Sequence, residues 1–360
     1  MKSIRPILIP RQLLLLLILS TGLLNHVMLI PSILRAAGRD GWVSILIAYP
    51  ILIAMSLLIY YIVKHSSSEG FFHLLQRKWP RWAVLLFSIP VCLFLFSSAY
   101  ITFVDLILWL SAYFLTDVPP FIVTGGIFFI CFLITWAGIK HMAIASGILL
   151  PLVMIFGIFI ALTNTNLKDP SLLFPIFSDG YAPAMKGSIY VLSGLLEIYL
   201  IVLIQPYSEG KIKLHHIIVL GLIFAGLMLG PLSASIMEFG PEESVFLRYP
   251  AYEQWRILSI GEFITHLDFF ALYQWLSGAL IRISLFMFLL ATLLVNNRRY
   301  DYRQSLKILV PLFIVFFCLV QINVDTYEFY HFLFKVFFPL TVILFIVQTI
   351  ISAIMIRFLK

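Results

Sequence analysis

Charge is what this chain has least of. Asp, Glu, Lys and Arg make up 11% of its 360 residues, less than half of the roughly one quarter found in soluble domains. That excludes an ordinary water-soluble globule. With 62% hydrophobic residues, the chain is also too apolar to stay disordered. Cysteine is nearly absent: Cys92, Cys131 and Cys318 all fall inside apolar runs. Neither a disulfide framework nor a thiolate metal site is expected, and the three read as small helix-packing residues. The sequence also lacks a Walker loop, an H-E-x-x-H, a nucleophile elbow and a paired-Cys motif. No cofactor, metal or catalytic residue is therefore expected, and only a membrane transferase built from isolated polar residues stays open as an enzyme. The net charge of +7 does not indicate nucleic acid, because the basic residues sit in short tracts between apolar runs.

What is present is a succession of apolar runs, each near the ~20 residues that span a bilayer. They fall at about 12–35, 42–64, 82–115, 119–138, 142–163, 184–206, 213–237, 268–296, 306–324 and 331–357, which predicts an all-α integral membrane protein of about ten transmembrane helices. The first run has no small-residue cleavage site and reads as a retained helix, not a signal peptide. Pro90, Pro151, Pro231 and Pro339 lie in or at the ends of runs, where kinks are expected. One set of alternate loops carries Lys2, Arg5, Arg11, Lys64, Arg77, Lys78, Arg81, Lys140, Lys211, Lys213, Arg298, Arg299, Arg303, Lys307, Arg357 and Lys360 against only Glu69, Glu209 and Asp301. The other set is acidic. Both termini are therefore expected in the cytoplasm. On the acidic side, the 164–183 stretch is polar and turn-rich. The 238–268 stretch, with Tyr249, Tyr252 and Trp255, is expected to fold back on the membrane as a short interfacial helix.

Polar residues at membrane depth are costly and usually paired or functional. In the first run, Gly22, Leu23, Leu24 and Asn25 lie near the bilayer centre. Gly22 permits a helix break whose free N–H groups would meet an anionic ligand group, or it is a packing residue. In the sixth run, Ser193, Gly194, Leu195 and Glu197 occupy the same depth. Glu197 either reads a ligand amine or proton, or is a hydrogen-bonded packing carboxyl. Asp105 in the third run and Arg282 in the eighth are both central and are expected to form an intramembrane ion pair, either a gate or a structural link. A fixed guanidinium there would also stand in for a coupling cation. His26 reads as a packed hydrogen-bonding residue.

Three blocks carry a resemblance. They are Gly38-Arg39-Asp40-Gly41-Trp42-Val43-Ser44; Tyr249-Pro250 with Arg256 through Phe263 and Leu267-Asp268; and Trp275, Gly278 and Arg282-Ile283-Ser284. With the length and span count, they closely resemble the B subunit of the GerA-type spore germinant receptors, a branch of the amino acid–polyamine–organocation permease superfamily. The resemblance implies a LeuT-like 5+5 inverted repeat, 1–163 and 184–360, with broken helices one and six. It implies a small nutrient, of the amino-acid class, bound at Gly22 to Asn25 and Ser193 to Glu197, with helices three and eight as walls. It also implies A and C subunits as partners and the inner membrane of a bacterial endospore as location. The spacing of Gly194 and Glu197 departs from the superfamily's Gly-aromatic-Glu pattern. Two other functions use the same fold: an autonomous amino-acid transporter, and an ion- or water-conducting element of the germination complex.

Overall fold

A computed structural model describes residues 7–66, 70–259, 267–295, 304–322 and 324–359, without the side chains of Leu23 and Val295. The 260–263 part of the motif and the charges at Lys2, Arg5, Glu69, Arg298, Arg299, Asp301, Arg303 and Lys360 lie outside these residues. Among the described residues the fold is all-helical, apart from one isolated bridge between Leu8 and Ser208. Among the described residues, eight helical stretches are long and apolar enough to cross a membrane.

The first of these, Pro10–His65, runs for 56 residues. Straight, it would measure about 84 Å, far more than the ~30 Å hydrocarbon layer. It is interrupted instead. Helix α1 (Pro10–Leu23) passes into a wide π turn (Leu24–Met28), then α2 (Ile30–Ala37), a 3-10 turn and α3 (Gly41–His65). The chain bends at Gly38, whose φ of 52° suits glycine. The expected segments 12–35 and 42–64 both lie inside this stretch. Segment 306–324 corresponds to α14 (Leu306–Val320), which at 15 residues falls short of span length.

The remaining elements follow in order: α4 (Phe71–Lys78), α5 (Arg81–Tyr113), α6 (Pro120–Ala137), α7 (Ile139–Thr163), α8 (Ala182–Leu195), a 3-10 turn (Leu196–Tyr199), α9 (Leu200–Ile204), α10 (Leu214–Phe239), α11 (Pro241–Ser244), α12 (Pro250–Arg256) and α13 (Phe269–Val295). After α14 come α15 (Thr326–Phe332), a π turn (Leu333–Phe337) and α16 (Phe338–Phe358). Residues along α8 to α9 and along α13 are almost all buried, so these segments form the interior of the bundle, whereas α6 and α7 are largely exposed. Away from Lys140 and His141 at the start of α7, exposed side chains of α6 and α7 such as Phe121, Phe129, Ile148 and Ile155 are apolar, as lipid contact requires. Cys318 is likewise exposed, so the packing role expected of all three cysteines holds best for Cys131, which is buried.

Helix α12 departs from expectation. Pro250, Ala251, Tyr252, Gln254 and Trp255 are buried, so it plugs into the bundle instead of lying on the membrane surface. Hydrogen bonds explain the difference. Gln254 Nε2 donates to Pro231 O at 2.8 Å, and Asn164 Nδ2 donates to Gln254 O at 2.9 Å. The helix is thereby fastened to the Pro-interrupted turn of α10 and to the end of α7.

Candidate functional site

Two of the expected residues meet face to face. Arg282, on α13, forms a bidentate pair with Glu197, in the 3-10 turn after α8, at 2.7 and 2.8 Å. Both side chains are 0% exposed. The remaining guanidinium donors reach Thr102 Oγ1 (3.2 Å), Ser98 Oγ (2.6 Å) and Ser20 O (3.3 Å). A guanidinium has five N–H donors, and here each has an acceptor. The face of Phe286 lies 4.3 Å from its central carbon, which adds a cation–π contact. The network ties α1, α5, the α8 turn and α13 at one depth.

The expected Asp105–Arg282 pair is therefore not formed. Asp105 instead accepts from the hydroxyls of Tyr249 (3.3 Å) and Tyr330. The two hydroxyls lie 2.9 Å apart, and Arg248 Nη2 donates to Tyr330 Oη at 3.0 Å. Phenols can neutralise the desolvation of a carboxylate by hydrogen bonding without a full counter-charge. Burial, and the charge of Asp105 beside it, push the Tyr249 phenol well above its ordinary range, so it stays a neutral donor. Tyr330→Phe removes one charge-assisted bond. It should lower the stability of the detergent-solubilised protein by about 1.5–3 kcal/mol, read as a lower melting temperature; an unchanged melt would show that Tyr249 alone suffices.

The two expected helix breaks take milder forms. At the first, the backbone stays hydrogen-bonded: Leu24 N donates to Thr21 O, and Leu29 N to Leu24 O at 3.0 Å. The helix widens there into a π turn, Leu24–Met28, in place of an open break. At the second, the helix tightens to 3-10 geometry over Leu196–Tyr199. The end of α8, just before the 3-10 turn, packs against the π turn. A Cβ on Gly194 would lie 2.0 Å from Asn25 Oδ1 and 2.4 Å from Leu29 Cδ1, so only glycine fits between α8 and the π turn. Both polar atoms of the Asn25 side chain are buried without partners.

A cavity of about 320 Å³ opens beside this junction, between α1, α7, α10, α12 and α13, in the size range of small-molecule pockets. Of the expected ligand residues, Gly22 lines it; His26, expected only as a packing residue, lines it too. Leu24, Asn25, Ser193, Gly194, Leu195 and Glu197 are buried outside it, and the carboxylate of Glu197 is committed to Arg282; the Leu23 side chain is outside the described residues. The deep end is marked by Gly22 and Gly278, the latter one helical turn from Arg282. The other end holds Lys168, Met237, Gln254 and Trp255. Sequence reading missed α10 and α12 as walls. The available signal was the pair Gly226 and Gly230, one turn apart, both facing open space.

The family model described as Spore germination protein matches residues 9–326. The chain is 37% identical over 332 residues to Spore germination protein XB of Bacillus anthracis, covering 92% of each. It is 25% identical over 256 residues to the Putative spore germination protein YfkT of Bacillus subtilis (strain 168), covering 70% of this chain and 69% of that one. Spore germination protein KB of the same organism is 21% identical over 286 residues, covering 77% and 75%.

Proposed function

The chain belongs to the Spore germination protein family, and from that premise we propose that it is the membrane-embedded nutrient-sensing subunit of a spore germinant receptor. The observation that carries this reading is the 320 Å³ cavity, with Gly22 and His26 in its wall. Its ligand is a small nutrient of the amino-acid class. Occupancy of a pocket formed by five helices biases their packing, and partner subunits of the A and C type read that shift.

We further read the chain as two inverted five-helix repeats, 1–163 and 184–360, in the inner spore membrane with both termini cytoplasmic. Support comes from the leading stretch of each half. Each departs from α geometry near mid-span, once at Leu24–Met28 and once at Leu196–Tyr199, and Gly194, two residues before the second turn, packs against Asn25 in the first. Irregular helices at matching places in two halves are what an inverted-repeat binding fold requires.

The test is Gly230→Leu. A Cβ there meets nothing within 4 Å, so the side chain fits and fills the cavity. Spores carrying it should lose the nutrient response, or need at least about tenfold more nutrient, at normal subunit level by blot. Gly126→Leu, on α6 and also in open space, is the control. An unchanged response at Gly230→Leu sinks the reading. Uptake of labelled nutrient into vesicles holding this chain alone would assign transport instead.

A further inference from the structure

Where α4 ends and α5 begins, the chain carries a surface that neither the cavity nor the buried pair explains. It reads Arg77-Lys78-Trp79-Pro80-Arg81-Trp82, three cations and two tryptophans with no acid among them, and all six residues are exposed. Trp109, Trp255 and Trp275 are buried, whereas Trp79 is 37% and Trp82 70% exposed. Among the described residues, none of the three cations has a carboxylate partner. Unpaired positive charge and unburied indole thus occupy one corner.

The corner is held from behind. Phe71, Phe72 and Leu75 on α4 are buried, and the rings of Phe71 and Phe72 lie 5.8 and 5.9 Å from that of Phe87 on α5. Trp79 is extended, with φ −110° and ψ 154°, as a residue before proline prefers, so α4 stops there and α5 starts at once. Arg77 and Lys78 in the last turn of α4 and Arg81 in the first of α5 are thereby gathered. From Trp82 an exposed stripe continues along α5 through Leu86 (65%), Ile89 (49%) and Leu93 (62%). Steps of three and four residues keep these on one face of the helix.

We propose that this corner is a binding site for an anionic phospholipid. Arg77, Lys78 and Arg81 take the phosphate, Trp79 and Trp82 sit at the level where head group meets chain, and one acyl chain runs along Leu86, Ile89 and Leu93. Guanidinium groups suit phosphate oxygens because their N–H donors come in pairs. Indole rings favour the membrane–water boundary. Each Lys or Arg near an anionic bilayer surface strengthens association about fivefold. The occupant is argued from continuity: the charged corner runs directly into an apolar stripe on a membrane-spanning helix, which is the order of groups along a lipid. An acidic soluble protein would match the cations and leave the stripe unused. The site lies on the helix that carries Ser98 and Thr102 to Arg282, away from the cavity, and does not depend on what the cavity binds.

The experiment exchanges the purified full chain into detergent micelles holding equimolar dioleoyl phosphatidylglycerol and dioleoyl phosphatidylcholine, and counts retained lipids by native mass spectrometry. Wild type should retain phosphatidylglycerol preferentially. The triple variant Arg77→Gln, Lys78→Gln, Arg81→Gln should lose that preference, by about fivefold per cation removed. A matched triple, Lys211→Gln, Lys213→Gln, Lys307→Gln, removes the same charge from exposed cations elsewhere and should keep it. Wild type in about 1 M salt, where the screening length is about 3 Å, should lose the preference as well, a check that needs no variant. Trp82→Ala should lower retention of both lipids alike, because it removes packing and no charge; unchanged retention would overturn the chain path along α5. Equal retention of the two lipids by wild type overturns the site and leaves the corner to an acidic protein surface. An equal loss in both triple variants also overturns it, since the preference would then belong to net charge, and so does an unchanged preference in the first triple.

Discussion

Arg282→Met should abolish recovery of folded protein from membranes, and Glu197→Gln added to the same chain should restore much of it. The single change leaves the Glu197 carboxylate, 0% exposed, without the two bonds that neutralise it. Removing one partner of a buried pair typically costs about 3–5 kcal/mol, against a whole-domain stability of about 5–15 kcal/mol. The neutral pair Met and Gln carries no stranded charge. The Thr102 hydroxyl that served Arg282 loses little, because it still donates to Ser98 O at 2.8 Å. Replacing a buried ion pair by groups of similar volume is often nearly neutral, so the double variant should lie far above the sum of the singles. The check is a double-mutant cycle on melting temperature and on the monodisperse fraction recovered in detergent. Additive losses, or an Arg282→Met protein with wild-type stability, would remove the pair as the link between these helices. An Asp105→Arg, Arg282→Asp exchange should not rescue either single change, since each residue would face the other's wrong partners.

The membrane class and the candidate polar residues could be read directly from the chain, because apolar runs of span length and charges at mid-depth are local signals. Arg282 and Glu197 were both visible as mid-depth charges. Their pairing was not, since it joins residues 85 apart and helical periodicity says nothing about which interior face meets which. Asp105 shared the same depth and sign as Glu197, so sequence offered no means to choose between them. The π turn was half legible: Gly22 marks where the helix can deviate, but whether it unwinds or widens depends on the bonds that Leu24 and Leu29 find. Helix α12 misled for a different reason. Its aromatic and polar residues suit an interface or a plug equally, and the choice rests on Gln254 finding Pro231 O. Lys168, a base in the acidic set of loops, was the overlooked signal for the far end of the cavity.

Gly194→Ala, the smallest change available, should cost more than truncation of any lipid-facing leucine. A methyl group there would stand 2.0 Å from Asn25 Oδ1, 2.4 Å from Leu29 Cδ1 and 3.0 Å from Met228 Cε. Close helix approach through small residues is a principal source of cohesion where no hydrophobic drive separates helix from lipid. Overpacking of a dense interior costs about 1–3 kcal/mol and sometimes more, and here three neighbours must move at once. Asn25 can yield, because neither polar atom of its side chain is bonded; Leu29 and Met228 belong to the buried core. Asn25→Ala should therefore recover part of the loss, and Asn25→Ala alone should be close to neutral. The measurement is the melting temperature of the four proteins in one detergent. A Gly194→Ala protein as stable as wild type would mean that α8 and the π turn do not pack as described. Full rescue by Asn25→Ala would place the entire contact on the asparagine; no rescue would place it on Leu29 and Met228. In each case the same contact between α8 and the π turn is being moved, and it binds the first stretch of the chain to the helix that leads into Glu197, on which Arg282 depends.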